Sequence, residues 1–169
     1  MYYAAVPLAL LEQALDIIEE MPMKNTILVG TYDLVSWENR HESGAITYPL
    51  GPDAKGVISY SPDGFVFVHI MANNRNNHSA CNLFGGGTSE IKDSAITHIS
   101  YCGTYEVKEN EVIHHVSVSP FPKLVSSEQR RNWEFQSGQL LLIAEGLKVG
   151  NEKVEAYLIW RRVKNQHDI

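Results

Sequence analysis

From Thr26 to Val163 the chain is one short β-forming run after another, each closed by a tight-turn signal, and this rhythm constrains the fold most. ILVGTYDLVSWE, GVISY, FVFVHIM, ISYCGTYEV, EVIHHVSVS, EQRRNWEF, QLLLI and VEAYLIWRRV are rich in β-branched and aromatic residues. Ser61-Pro62-Asp63-Gly64, Lys108-Glu109-Asn110, Ser137-Gly138 and Gly150-Asn151 separate them with residues that favour turns. Strands joined this briefly run antiparallel to their neighbours, and about eight of them predict an all-β barrel or sandwich. No strand alternates with a long helix, which argues against a parallel α/β fold. A length of 169 residues suits a single domain with a full core.

Two segments depart from the rhythm. In MYYAAVPLALLEQALDIIEEM, Pro7 fits a first helical turn, and Leu8, Leu11, Leu15 and Ile18 recur at helical spacing. Residues 1–23 are therefore expected to form an amphipathic helix that docks on the barrel or on a second subunit, and residues 24–169 the β domain. The segment lacks a basic leader and carries Glu12 inside its apolar stretch, so it reads neither as a signal peptide nor as a membrane span. Ala72 to His98 is polar and glycine-rich, then helical from about Ser89, and a loop this long predicts a lid over a cavity mouth, an entrance loop or a disordered stretch. Its Gly85-Gly86-Gly87 run is not a phosphate loop, because no Gly-Lys-Ser/Thr follows.

A net charge of −6 argues against nucleic acid and against an anionic membrane surface. Cys81 and Cys102 form no motif and are compatible with reduced thiols in the cytoplasm. Ser100 and Ser117 lack the strained turn of a hydrolase nucleophile. The seven histidines include no His-x-His and no His-Glu-x-x-His, and the cysteines form no paired site. A cross-strand set of His69, His98 and His114 is the one arrangement that would hold a metal; the reading expects no metal and no cofactor.

Alternation along the strands places the candidate site. His114 and His115 are adjacent, so they face opposite sides of their strand. His114 shares its face with Val112, Val116 and Val118 and is expected inside, leaving His115 at the rim or surface. In FVFVHIM, Phe65, Phe67, His69 and Met71 share one face, and Val66, Val68 and Ile70 the other. The aromatic face is read as the interior, with the other face covered by the N-terminal helix or a second subunit. Tyr101 and Tyr105 pair across Gly103, and Arg131, Trp133 and Phe135 share a face of the next strand but one. Phe65, Phe67, Met71, Tyr105, Trp133 and Phe135 then line an apolar pocket, with His69, His114, Tyr101 and Arg131 as its polar anchors.

Taken in order, GTYDLVSWE, YPLGPDAKGVISYSPDG, FVFVHIM, YCGTYEV, HHVSVSPFP and EQRRNWEF resemble the bacterial and fungal lipocalin-like domain family over roughly Leu28 to Val163. Gly30-Thr31-Tyr32 is similar to the Gly-x-Trp opening of lipocalin barrels, with tyrosine for tryptophan. Trp160-Arg161-Arg162 is similar to the late arginine that closes such a barrel's floor. The resemblance implies an eight-stranded antiparallel barrel with a ligand-sized cavity. It also implies that related small barrels act as cofactor-free cyclases or isomerases in natural-product pathways. The expected partner is a small hydrophobic or aromatic molecule. The alternative is an enzyme in which His69 or His114 moves a proton while Tyr101 or Arg131 polarises a carbonyl.

Overall fold

The computed structural model describes residues 23–77 and 86–164. Residues 1–22 of the helix expected over 1–23, Cys81 and the middle of the long loop lie outside the described residues. A 3₁₀ turn, Met23–Leu28, leads into β1 (Gly30–His41), β2 (Ile46–Thr47), β3 (Lys55–Tyr60) and β4 (Phe65–Met71). The short helix α1 (Thr88–Ile96) follows, close to where the sequence expects it. The chain then continues as β5 (His98–Lys108), β6 (Glu111–Val118), β7 (Glu128–Gln136), β8 (Gln139–Val149) and β9 (Glu152–Arg162).

Apart from β2, each strand pairs antiparallel with the next, and β9 returns to pair with β1 from Tyr32↔Arg162 to His41↔Val154. The result is a closed eight-stranded barrel, with β2 as a two-residue spur on β1. Closure removes every long free edge, and so removes the template on which an open sheet would aggregate.

The floor is built from the two ends of the chain pattern singled out in the sequence. Tyr32 is buried, and its hydroxyl donates to the Leu28 carbonyl at 3.1 Å. Arg162 donates to the Tyr32 hydroxyl at 2.7 Å and to the Val29 carbonyl at 2.9 Å, with its guanidinium 5.0 Å from the centre of the Tyr32 ring. Gly30 has φ +144°, and a Cβ there would stand 2.8 Å from Arg162 Nη1, so glycine is what lets the arginine lie across the floor. Arg162→Ala is expected to cost about 2 kcal/mol, since it removes two hydrogen bonds from a charged donor and a cation–π contact. Arg162→Lys should recover less than half of that, because an ammonium lacks the planar fork. Urea denaturation measures both, and equal stability of Arg162→Ala and the parent would contradict this account of the floor.

The interior corrects the expected faces of β4. Val66, Val68 and Ile70 enter the barrel, while Phe65, Phe67, His69 and Met71 stand outside. Volume explains the inversion. Val68 lies in register between Ile58 and Tyr101, and Tyr60, Tyr101, Tyr105 and Trp160 already supply the large interior rings. The aliphatic β-branched side chains take the inward positions beside those rings. Val118, read with the His114 face, is also exposed, because the β5–β6 register slips between Cys102 and Gly103 just before it.

Candidate active site in the barrel interior

His114 is the polar centre of the barrel. It is 1% exposed, and its face is the one that alternation with Val112 and Val116 predicts. Tyr60 Oη lies 2.8 Å from its Nε2, and Tyr101 Oη lies 2.8 Å from its Nδ1. Burial, reinforced by the nearby Arg131 guanidinium and by His115, lowers its pKa to about 3. The ring is therefore neutral near pH 7, with one N–H and one lone pair, so one tyrosine donates to it and the other accepts from it. Burial in turn pushes the Tyr60 and Tyr101 hydroxyls up, against the pull of Arg131, and both stay protonated. His115 lies on the outside, 3.7 Å from Glu106 and 3.6 Å from Glu128.

A cavity of about 80 Å³ lies against this cluster. Tyr101, His114 and Arg131 reach it from one side, and Trp37, Leu147 and Trp160 help close the others. Trp160 is 1% exposed, and among the described residues its Nε1 has no hydrogen-bond partner. A buried indole N–H without an acceptor is costly, so it marks a place where an acceptor belongs. Arg131 is half-buried. It donates to the Arg130 carbonyl at 2.6 Å and, more weakly, to Gln129 Oε1 at 3.4 Å.

Of the candidate anchors, the fold brings together His114, Tyr101 and Arg131. Tyr105 is interior but sits toward the floor, its ring 4.9 Å from Tyr60 and its hydroxyl donating to the Ser61 carbonyl at 3.1 Å. Trp133 packs against the core at half-burial. Phe135 keeps the Trp133 face but runs past the floor into the β7–β8 turn, remaining 43% exposed. His69 cannot join His114, because the barrel wall separates them. Its Nδ1 instead lies 3.4 Å from His98 Nε2 on the outer surface, which also divides the three-histidine set. Tyr60, Trp37 and Trp160 are the site residues that sequence reading did not assign. Tyr60 had a signal in the Ile58/Tyr60 alternation of GVISY, but its meeting with His114 across three strands had none.

Among the described residues no helix is long and apolar enough to cross a membrane. A family model described as a lipocalin-like domain matches residues 29–163. No curated protein matches the chain. A solved structure of an uncharacterized protein from Bacteroides eggerthii is similar at 12% identity and a TM-score of 0.40, over 79% of this chain and 98% of that one.

Proposed function

This chain belongs to the lipocalin-like domain family, and from that premise we propose that its barrel binds a small apolar or aromatic molecule through one hydrogen-bond-accepting group, a carbonyl or carboxylate. The unpartnered, fully buried N–H of Trp160 carries this reading. The other polar groups at the cavity can also donate. Arg131 brings only N–H groups, and the Tyr101 O–H is left to donate whenever Tyr101 accepts from His114 Nδ1. Donors lining one apolar box select for an acceptor and against a cation.

The cavity also limits size. About 80 Å³ is below the roughly 150 Å³ that takes a benzene ring and well below the roughly 300–1,000 Å³ of drug-sized sites. An aromatic acid therefore enters by displacing a side chain at the mouth. Leu147 is the one placed to yield, since it is 39% exposed and follows the register slip in β8–β9 pairing after Ala144.

The Tyr60–His114–Tyr101 chain also supports a second reading, a cofactor-independent isomerase or cyclase in which His114 relays a proton. Its pKa of about 3 weighs against this, because protonating the ring at pH 7 costs about 5 kcal/mol before any chemistry begins.

Native mass spectrometry of the freshly purified protein and calorimetric titration with benzoate test the binding reading together. Saturable benzoate binding is expected, weakened roughly 10-fold or more by Arg131→Ala and by Trp160→Phe, as loss of a hydrogen bond to a charged acceptor predicts. A bare chain mass with no saturable benzoate binding would overturn the reading, as would an affinity unchanged in both variants. Turnover of a carbonyl substrate that is lost on His114→Gln would favour the enzyme instead.

A further inference from the structure

The chain Tyr60–His114–Tyr101 has a direction, and only one direction leaves no proton stranded in the packed core. A neutral imidazole has one N–H and one lone pair, so its two hydrogen bonds run the same way, from Tyr60 to Tyr101 or back. Run from Tyr101, the Tyr101 O–H donates to Nδ1, and Nε2–H donates to the Tyr60 oxygen. The Tyr60 O–H then needs another acceptor. Tyr60 is 1% exposed, and among the described residues its hydroxyl bonds to His114 and to nothing else. The tyrosine ring packed on it, that of Tyr105, is T-shaped at 4.9 Å between centres and is a poor substitute for an oxygen. Run from Tyr60, the Tyr60 O–H donates to Nε2, Nδ1–H donates to the Tyr101 oxygen, and the spare proton is on Tyr101. Tyr101 lines the cavity of about 80 Å³, and Tyr60 does not. The second direction puts the spare proton on the tyrosine that a ligand can reach.

We propose that Tyr60 is a positioning residue: it holds His114 as the Nδ1–H tautomer and so makes Tyr101 a hydrogen-bond donor to the bound molecule. This rests on the binding reading above for the presence of a ligand, and it deepens that reading by fixing the polarity of the contact. The hydrogen bond at one ring nitrogen decides which nitrogen carries the proton, and here a donor stands at Nε2. The barrel supplies the asymmetry. Tyr60 is the last residue of β3, at the floor, with Tyr105 packed on it, whereas Tyr101 lies on β5 and lines the cavity with Arg131. Leaving the Tyr60 O–H buried and unsatisfied disfavours the reverse chain by about 10-fold or more. Reversed, the same three side chains would show the cavity the lone pairs of Tyr101 and select a donor such as an amine. Tyr60 thus sets which ligands the site accepts without touching them.

Nitrogen-15 labelling of the histidines in the full-length protein tests this by NMR at pH 7. Long-range proton–nitrogen correlations distinguish the two tautomers, and the signals lost in His114→Gln identify the ring. His114 should carry its proton on Nδ1 before any ligand is added, and a proton on Nε2 would overturn the proposal. Tyr60→Phe removes the donor at Nε2 and should raise the Nε2–H population. Its affinity for benzoate should fall by the same factor as its Nδ1–H population, because only that form presents the Tyr101 proton. Tyr101→Phe should weaken benzoate about 10-fold. Toluene has the same ring and no acceptor, so its affinity should not change in either variant. A Tyr60→Phe spectrum that keeps the proton on Nδ1 would overturn the role of Tyr60. Equal losses of toluene and benzoate would overturn the role of Tyr101, leaving it as cavity wall. Absence of benzoate binding in the parent would instead overturn the binding reading, while the ligand-free spectrum still decides the direction of the chain.

Discussion

Gly103→Ala is expected to lower the melting temperature by roughly 10 °C or to leave the barrel unfolded. Gly103 is buried on β5 between the inward rings of Tyr101 and Tyr105, opposite Val66 of β4. The β5–β6 register slips here, from Cys102↔Val118 to Gly103↔Val116, so β6 crowds against the glycine. A Cβ at this position would fall within bonding range of the His115 carbonyl oxygen, and it would stand 2.9 Å from Ser117 N. Both obstacles are backbone, so no side chain can swing away, and relief means moving one strand off the other. The cost belongs at the top of the range for forcing atoms into a packed interior, about 3 kcal/mol or more. In a chain of this size that corresponds to roughly 6–12 °C. Gly138→Ala is the control. Gly138 has φ +78° with nothing within 4 Å, so it should lose only about 1 kcal/mol for the backbone conformation. Equal melting of the two variants would show that the β5–β6 contact yields easily. The crowding has a functional side as well, because displacing β6 would pull His114 from between Tyr60 and Tyr101.

How far the sequence reveals this site depends on whether the two faces of a strand differ. On β6 they do. His115 shares its face with Ser117 and Ser119 as well as Ile113, while His114 stands with Val112 and Val116, so alternation assigns His114 to the interior correctly. On β4 they do not. Alternation separates Phe65, Phe67, His69 and Met71 from Val66, Val68 and Ile70, but with both sets apolar it carries no sign, and size pointed the wrong way. The deciding quantity was the space left by Tyr60, Tyr101, Tyr105 and Trp160, which exists only once the barrel has closed. Closure hides the rest for the same reason. Tyr60 and His114 are 54 positions apart and lie on strands that are not neighbours. The order of strands and the floor of Gly30, Tyr32 and Arg162 were legible because they rest on local runs and on the resemblance at the chain's two ends.

Acidification should destabilise this protein through one buried ring. His114 titrates near 6.5 in an unfolded chain and near 3 in the folded one, so the unfolded state holds more protons between those values, and stability rises with pH across that window. The contribution is complete above about pH 6.5 and is lost as pH falls toward 3. At about 1.4 kcal/mol per pH unit, some 3 kcal/mol is gone by pH 4. His98, whose pKa is lowered mainly by partial burial and then by Arg75 and His69, acts in the same direction. Glu106 and Glu152, held low by Lys108 and His41, add their own losses at still lower pH. A non-titrating variant isolates the histidine. Urea midpoints at pH 7, 5.5 and 4 should fall much more steeply for the parent than for His114→Gln, whatever the variant's starting stability, and parallel curves would refute the assignment. Ligand then gives the same measurement a second use. The guanidinium of Arg131 is part of what holds His114 neutral, so a carboxylate bound beside it would offset that charge and favour the imidazolium. Saturating benzoate should therefore flatten the parent's pH dependence and leave that of His114→Gln unchanged.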